Sequence, residues 1–332
     1  MSTPREALFL DATGRGFTRN LAAVRDLLLR ERPNVPPRYF FADMDADAAT
    51  KGERRAMDRM LRTATERAGW VITASESPHA RLGRGAADQR RVLLLAPRLG
   101  LVDDSAAPEE PVAGYTDVIV PGRAFTDTAE SRFPGARVQA LGLPVFAELV
   151  SESLRARARS QLLTLCPHAE RKRIVVITTQ RRPEQVFGVA TVAELAERLP
   201  DDVFLVVDLP IMLKTLEHAP SRLAERVFVN DGAFGIFSLL ALADELLTSK
   251  FRDAVYFSVT GRALRFLNSE KNVGTLGDKL PSEFAPLGIA DVAELPAALA
   301  GSYDADARAR FQAVYAVEDP ASAAAALVRA LF

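Results

Sequence analysis

Short apolar runs alternate with longer segments of helical periodicity along the whole sequence. The short runs are rich in Val, Ile, Leu and Phe, a composition typical of buried parallel strands. The segments between them, such as residues 20–33 and 51–68, carry apolar residues at helical spacing. This alternation predicts an α/β fold in which helices cover mostly parallel sheets.

The alternation occurs twice. In the first half, the predicted strands cover residues 7–12, 37–43, 69–74, 91–97, 116–122 and 136–142. The second half repeats the pattern over residues 173–179, 191–200, 203–210, 226–231, 235–244, 245–249, 252–261 and 263–268, and Ala-rich helical residues 305–332 follow. We therefore predict two doubly wound Rossmann-like domains that face a cleft, residues 1–147 and 174–332, joined by a helical, basic linker at 148–173.

Length and charge agree with this plan. The 332 residues exceed the size of most single domains, and 48% apolar with 26% charged residues is usual for a soluble globular protein. The 42 basic and 43 acidic residues give a net charge of −1. No field of the whole protein therefore attracts nucleic acid, and we expect no nucleic-acid partner.

The cysteine count and the lengths of the apolar runs indicate the cellular compartment. Cys166 is the only cysteine, so an intramolecular disulfide is impossible and a cysteine metal site is disfavoured. No segment has the apolar run of a signal peptide or of a membrane-spanning helix. We expect a cytoplasmic protein without metal or cofactor, able to touch the inner face of a membrane but not to cross it.

The first candidate loop, DATGRGFTRN, lies between the first predicted strand and the first predicted helix. Its two glycines allow a tight turn, and a helix start behind them can accept a negative group. The spacing differs from GxGxxG because residue 19 is Arg, which favours a cleft-facing loop over a dinucleotide site. The residues assigned to this loop are Gly14, Gly16 and Asn20.

The second candidate loop, TTQRRPE, follows the first strand of the second half. Arg181 and Arg182 have the planar donor geometry that suits phosphate, and ligands meet such sheets at the carboxyl ends of strands. With Thr178 they form a candidate phosphate site. A solvated turn before Pro183 is the alternative.

The third candidate loop, TSKFRD, begins at Thr248. Thr248 or Ser249 can cap the helix that follows. An anion at this point would meet unpaired backbone N–H groups together with Lys250 and Arg252. An ordinary helix cap is the alternative, and Asp253 in the first turn favours it.

The histidines offer little acid/base chemistry. None of His79, His168 and His218 has a carboxylate partner at an obvious spacing, so exposed structural roles are expected. No Ser/His/Asp arrangement and no metal-ligand spacing is recognisable.

The order and spacing of these segments resemble the CDP-glycerol:glycerophosphate glycerophosphotransferases of teichoic-acid and capsule synthesis over nearly the whole chain. FLDATGRGFTRN is similar to that family's opening strand and glycine turn, and RIVVITTQRRPE to its donor-domain strand. ALADELLTSKFRD resembles the segment that usually reads Ala-Asp-x-Leu-Ile-Thr-Asp-Tyr-Ser-Ser. The resemblance implies a GT-B fold, a nucleotide-activated donor such as a CDP-polyol in the second domain, and a polyol-phosphate or glycan acceptor in the first.

The sequence departs from the family where the resemblance places the chemistry. The first family histidine, which acts as general base, would lie near Arg98, and the second, which stabilises the donor phosphates, falls on Leu209 and Pro210. Arginine cannot replace a base because its pKa stays above about 12. The candidate catalytic substitutes are Arg98, for charge stabilisation, and the carboxylates Asp103, Asp104 and Asp208.

Two functions follow from these observations. One is a divergent transferase that binds a nucleotide-activated polyol phosphate or sugar. The other is a non-catalytic relative that acts with a protein partner as a binding or scaffolding subunit in envelope-polymer assembly, and the loss of both family histidines favours it. A sugar-binding or epimerase-like GT-B protein is a third reading, against which the missing acid/base set counts.

Overall fold

The computed structural model describes residues 6–11, 18–41, 50–74, 88–98, 101, 110–179, 191–208, 225–230, 232–267, 281–290 and 292–332. The chain forms two compact units, the first from Met1–Glu148 with Asp319–Phe332 and the second from Leu149–Glu318. Within the described residues each unit contains one six-stranded sheet, and the strand pairings are parallel. The predicted α/β class with parallel sheets is confirmed.

The elements follow the predicted alternation. The strands are β1 (Glu6–Asp11), β2 (Pro37–Phe41), β3 (Ala68–Thr73), β4 (Arg90–Leu94), β5 (Asp117–Ile119), β6 (Arg137–Gln139), β7 (Arg173–Thr178), β8 (Val203–Asp208), β9 (Val227–Val229), β10 (Glu245–Thr248), β11 (Ala263–Leu267) and β12 (Gly288–Ile289). The helices are α1 (Arg19–Glu31), α2 (Lys51–Arg67), α3 (Thr126–Arg132), α4 (Val145–Leu149), α5 (Glu152–Leu165), α6 (Thr191–Arg198), α7 (Ile236–Leu242), α8 (Phe251–Ser258), α9 (Leu295–Ala300), α10 (Ala305–Tyr315) and α11 (Ala323–Leu331).

The sheet of the first unit has the order β2-β1-β3-β4-β5-β6. The direction of strand addition reverses between β1 and β3, which makes the carboxyl ends of these two strands a topological switch point. Leu8 and Leu10 of β1 pack with Leu61 of α2 in the core on one face of this sheet. Helix α2 begins with a capping box in which the Thr50 N–H donates to Glu53 and the Glu53 N–H donates to the Thr50 hydroxyl, at 2.7 and 3.3 Å.

The sheet of the second unit has the order β12-β11-β10-β7-β8-β9. Its switch point lies between β7 and β10, the two central strands. Val175, Ile177, Leu205 and Leu247 are completely buried in one cluster. Their burial explains why these strands read as continuous apolar runs in the sequence, since a parallel sheet is covered by helices on both faces.

The last helix belongs to the first unit. The indole N–H of Trp70 donates to the carbonyl of Leu331 at 2.8 Å, and the Arg90 guanidinium donates to the carbonyls of Ala330 and Leu331 at 3.0 and 2.7 Å. These bonds satisfy carbonyl groups that the end of α11 leaves without helical partners. The alternation along the sequence predicts a second domain of 174–332 that includes these residues, because periodicity carries no sign of this contact.

The segment that the sequence analysis treated as a linker contains α5. This helix packs against α7 within the second unit. Arg155 of α5 is hydrogen-bonded to the carboxylate of Asp244, and Gln161 donates to the carbonyl of Ala233 at 2.9 Å. No helix in the described part of the chain combines the length and the apolar character needed to cross a membrane.

Candidate functional site

Two threonines are hydrogen-bonded to each other at the switch point of the second sheet. Thr178 ends β7 and Thr248 ends β10, and the two residues are paired across the strands. Their hydroxyl oxygens lie 2.7 Å apart and both side chains are completely buried. Both residues were predicted to contact a phosphate, but the structure places their hydroxyls in contact with each other beneath the sheet edge.

The residues that follow this pair along both strands are also joined by a hydrogen bond. The Ser249 hydroxyl donates to the Thr179 hydroxyl at 3.2 Å, and the backbone N–H of Lys250 donates to the Thr248 hydroxyl at 2.9 Å. Lys250 is the N-cap residue of α8, and its side chain makes no capping hydrogen bond. The chain therefore turns from β10 into α8 with the ammonium of Lys250 at the carboxyl edge of the sheet, where ligands of such sheets bind.

Two carboxylates flank this ammonium. The Lys250 Nζ lies 3.8 Å from Asp208 Oδ2 and 3.9 Å from Asp253 Oδ2. Asp208 is the last residue of β8, and its backbone is paired with Thr178. Asp253 is in the first turn of α8. The predicted phosphate-binding lysine and the predicted catalytic carboxylate Asp208 thus lie side by side in one unit.

Asp253 is the most deeply buried charged group of the cluster, with 1% of its side chain exposed. Burial raises the pKa of its carboxyl above the ordinary value, because a buried charge loses its hydration. Lys250, the Thr178 hydroxyl and Arg252 oppose this shift, and the charge of Asp208 adds to it. Asp253 in the first helical turn favours an ordinary helix cap in the sequence, and the structure adds that this carboxylate is buried.

Asn230 holds Asp208 in place and was missed by the sequence analysis. Its side-chain amide donates to Asp208 Oδ1 at 2.8 Å and to the carbonyl of Phe234 at 3.0 Å. Its side-chain oxygen accepts from the N–H of Phe234 at 2.9 Å. The position of Asn230 near the end of the predicted strand at 226–231 was a usable signal, since polar residues at the carboxyl ends of these strands meet at one edge.

Other predicted residues of the second unit are placed differently. The Arg252 side chain is 60% exposed, and its Nε lies 3.9 Å from Asp253 Oδ1. Arg181 and Arg182 lie outside the described residues, so their predicted convergence with Lys250 stays a prediction. Among the described residues, no three His, Cys, Asp or Glu side chains are arranged to hold a metal ion.

In the first unit, Asn20 has a structural contact. It is buried at the start of α1, and its side-chain oxygen accepts the backbone N–H of Val145 at 3.1 Å. This bond satisfies a donor at the start of α4. Arg98 is exposed beyond β4, and its carbonyl accepts from Leu101 at 3.1 Å. The predicted residues that lie outside the described part of this unit are Gly14, Gly16, Asp103 and Asp104.

A second charged cluster lies at the amino edge of the sheet in the first unit. Arg90, Asp117 and Arg137 begin β4, β5 and β6, and both guanidinium groups bind the Asp117 carboxylate, at 2.7 and 2.8 Å. Burial acts to raise the pKa of Asp117, but hydrogen bonds from Arg90, Thr116 and Arg137 hold it below the ordinary value. These residues are at the amino ends of the strands, and we assign them a structural role.

Comparison with known proteins bears on the fold. No family model matches the chain, and no curated protein matches it. A solved structure of the wall teichoic acid polymerase TagF, a variant soaked with CDPG, is similar over 99% of this chain and 88% of that chain, at 13% identity and a TM-score of 0.72. MnaA of S. aureus, solved with UDP, is similar over 98% of this chain and 95% of that chain, at 14% identity and a TM-score of 0.59. At such identities the likeness shows the fold, and the predicted GT-B-like architecture of two Rossmann-like units is confirmed.

Proposed function

We propose that this protein is a divergent GT-B transferase that binds a nucleotide-activated polyol phosphate or sugar through its second unit. The observation that carries the proposal is the position of Lys250, whose ammonium lies beside the switch point and at the start of α8. A diphosphate at this edge would meet the ammonium and the positive end of the helix dipole in the first turn of α8. The likeness to TagF and to MnaA with UDP supports a nucleotide ligand.

The resemblance to the CDP-glycerol glycerophosphotransferases makes CDP-glycerol the first ligand to test. In such a transfer the acceptor hydroxyl attacks the phosphorus next to the glycerol, the anhydride bond breaks, and CMP leaves while a base takes the hydroxyl proton. Both oxygens of Asp208, the candidate base, are already engaged. One accepts from Asn230 at 2.8 Å and the other lies 3.8 Å from Lys250 Nζ.

The engaged state of Asp208 favours the second candidate function, a non-catalytic relative that binds the same ligand as part of an assembly. Release of CMP from CDP-glycerol, in the presence of glycerol 3-phosphate as acceptor, separates the two candidates. Turnover above the rate without protein supports the transferase. Binding without turnover supports the non-catalytic relative.

Titration calorimetry with CDP, UDP, CDP-glycerol and UDP-N-acetylglucosamine tests the binding site itself. Replacing the ammonium in Lys250→Met should weaken binding by about tenfold or more, because a charge-assisted bond to phosphate is lost. Lys172→Met is the matched control, since Lys172 directly precedes β7 at the amino edge of the same sheet. Absence of binding by all four ligands would exclude the proposal.

The proposal includes a peripheral contact with an anionic membrane surface through α2. Lys51, Arg55, Arg59 and Arg62 are exposed along this helix at spacings of four, four and three residues. None of the four side chains has an ion pair or hydrogen bond with another residue in the described ranges. Like charges at these spacings weaken a helix, so the stripe has a cost that an anionic partner would offset.

A further inference from the structure

Lys250 already has an acidic neighbour that solvent can reach. The side chains of Lys250 and Asp208 are 22% and 20% exposed, and Asp208 Oδ2 lies 3.8 Å from the ammonium. The other neighbour, Asp253, is 1% exposed and lies three residues along the same helix. An anionic ligand that approaches from solvent would therefore meet Lys250 together with Asp208, while Asp253 stays beneath.

Asp208 is the fixed member of this pair. It is the last residue of β8, which is paired with the central strand β7, and Asn230 binds its Oδ1 at 2.8 Å. Asn230 is held in turn by both backbone groups of Phe234, at 2.9 and 3.0 Å. The Lys250 side chain has a flexible four-carbon stem and a single charged group. A ligand phosphate can therefore draw the ammonium toward itself, but it cannot displace the carboxylate.

We propose that Asp208 is a specificity-determining residue of this site, a resident counter-ion of Lys250 that discriminates against small inorganic anions. The inference rests on the proposed function, because it concerns the same ligand site. An inorganic phosphate or pyrophosphate exchanges one ion pair for another and is repelled by the fixed carboxylate, so it gains little. A nucleotide is also held by the contacts of its base and ribose, which fix the position of its diphosphate, so the repulsion by the carboxylate acts more strongly on the small anion.

The variant Asp208→Asn separates this role from a structural one. Asparagine keeps the shape of the side chain and an oxygen that can accept from Asn230, but it removes the negative charge. A purely structural ion pair would change the melting temperature and leave the relative affinities of different anions unchanged. A discriminating counter-ion changes the ratio of the affinities for pyrophosphate and for a nucleotide.

The experiment is titration calorimetry at one fixed ionic strength with inorganic pyrophosphate, CDP and UDP. Asp208→Asn should bind pyrophosphate about tenfold more tightly than the wild type does, and its preference for CDP or UDP over pyrophosphate should fall. The double variant with Lys250→Met should lose this gain, because the gain acts through the ammonium. Asp202→Asn, which removes an exposed charge before β8 at the amino edge of the same sheet, should match the wild type.

Each outcome has a defined reading. Equal pyrophosphate affinity in the wild type and Asp208→Asn overturns the inference, and the proposed function stands if the wild type binds CDP or UDP. Pyrophosphate binding gained by Asp208→Asn, with no nucleotide bound by any of the proteins, supports the inference and overturns the proposed function. Absence of binding by every protein and every probe overturns both.

Discussion

The hydroxyl oxygens of Thr178 and Thr248 lie 2.7 Å apart, and this hydrogen bond joins β7 to β10 at the switch point of the second sheet. The bond does more than connect two strands. Thr248 also accepts the backbone N–H of Lys250 at 2.9 Å, so the turn that presents the ammonium is anchored on the same hydroxyl. The position of the proposed phosphate contact therefore depends on a pair of side chains that solvent does not reach.

Replacing the Thr248 hydroxyl should destabilise the second unit. Thr248→Val keeps the side-chain volume but removes the hydrogen bond to the Thr178 hydroxyl and leaves the Lys250 N–H without its partner. Buried polar groups in that state cost about 1–3 kcal/mol of unfolding free energy, measurable by urea titration. Thr164→Val, at an exposed position of α5, should stay within about 0.5 kcal/mol of the wild type. A loss no larger than that of the control would contradict the anchoring role.

The stability of the protein should respond to the charge of Asp253. Its pKa is raised in the folded state, so the folded protein binds this proton more tightly than the unfolded chain does. The stabilising contribution is full below the ordinary pKa of aspartate, about 4, and is lost as the pH rises through the folded-state pKa. Once the pH has passed that pKa the folded protein buries a charge, and Asp253→Asn should then melt at a higher temperature than the wild type.

Acidification should remove that difference, because the wild-type carboxyl then becomes neutral as well. Melting curves of both proteins between neutral and acid pH test this, with the exposed Asp202→Asn as a control. A lower melting temperature for Asp253→Asn at neutral pH would mean that its attraction to Lys250 outweighs the cost of burial.

Asp117 should show the opposite pH dependence. Its pKa is lowered in the folded state by hydrogen bonds from Arg90, Thr116 and Arg137, which act against burial. The stability it contributes is present above the ordinary pKa of aspartate and is lost as the pH falls through the folded-state pKa. Asp117→Asn should lose about 3 kcal/mol of unfolding free energy at neutral pH, and less at acid pH. Glu130→Gln, exposed on α3, is the control; an equal loss at both pH values would refute the ionic origin.

The sequence was sufficient to predict the strands of both sheets, but not the contacts among charged side chains at the edge of the second sheet. Apolar runs such as 174–177 indicate a buried strand, because both faces of a parallel sheet are covered. The same rule that places ligands at carboxyl ends placed Thr248, Ser249 and Lys250 at an edge. It could not show that Asp208 lies beside Lys250, because that depends on the order of strands in space.

Two further features were out of reach for the same reason. The burial of Asp253 follows from the packing of a whole helix, and nothing in the local sequence distinguishes it from an exposed cap. The hydrogen bond from Trp70 to Leu331 joins residues 261 positions apart, and periodicity gives no sign of such a contact. A local pattern identifies elements, whereas these pairings depend on how the elements assemble.

That contact predicts which unit depends on α11. Ending the chain after Glu318 removes the carbonyls bound by Trp70 and Arg90 and the ring of Phe332, whose centroid lies 4.8 Å from that of Trp70. Amide hydrogen exchange should become faster in β3 and β4, with β7 and β8 unchanged. Trp70→Phe, which loses only the indole bond, should show a smaller effect in the same strands. Equal acceleration in both sheets would contradict the assignment of α11 to the first unit.

The exposed cations of α2 should bind the protein to anionic vesicles. Each basic residue near such a surface contributes about 1 kcal/mol, and the attraction falls with salt because the Debye length shrinks from about 10 Å at 0.1 M to about 3 Å at 1 M. In co-sedimentation with phosphatidylglycerol-containing vesicles, binding should be lost at high salt, with pure phosphatidylcholine, and in a variant with glutamine at Lys51, Arg55, Arg59 and Arg62.

The matched control, with the same loss of charge at other exposed positions, carries glutamine at Arg157, Arg198, Arg310 and Arg329. Because the α2 variant also removes repulsion between neighbouring cations, it should melt no lower than the wild type, so loss of binding would not reflect unfolding. Equal sedimentation of the two variants would show that net charge, and not α2, governs the attraction.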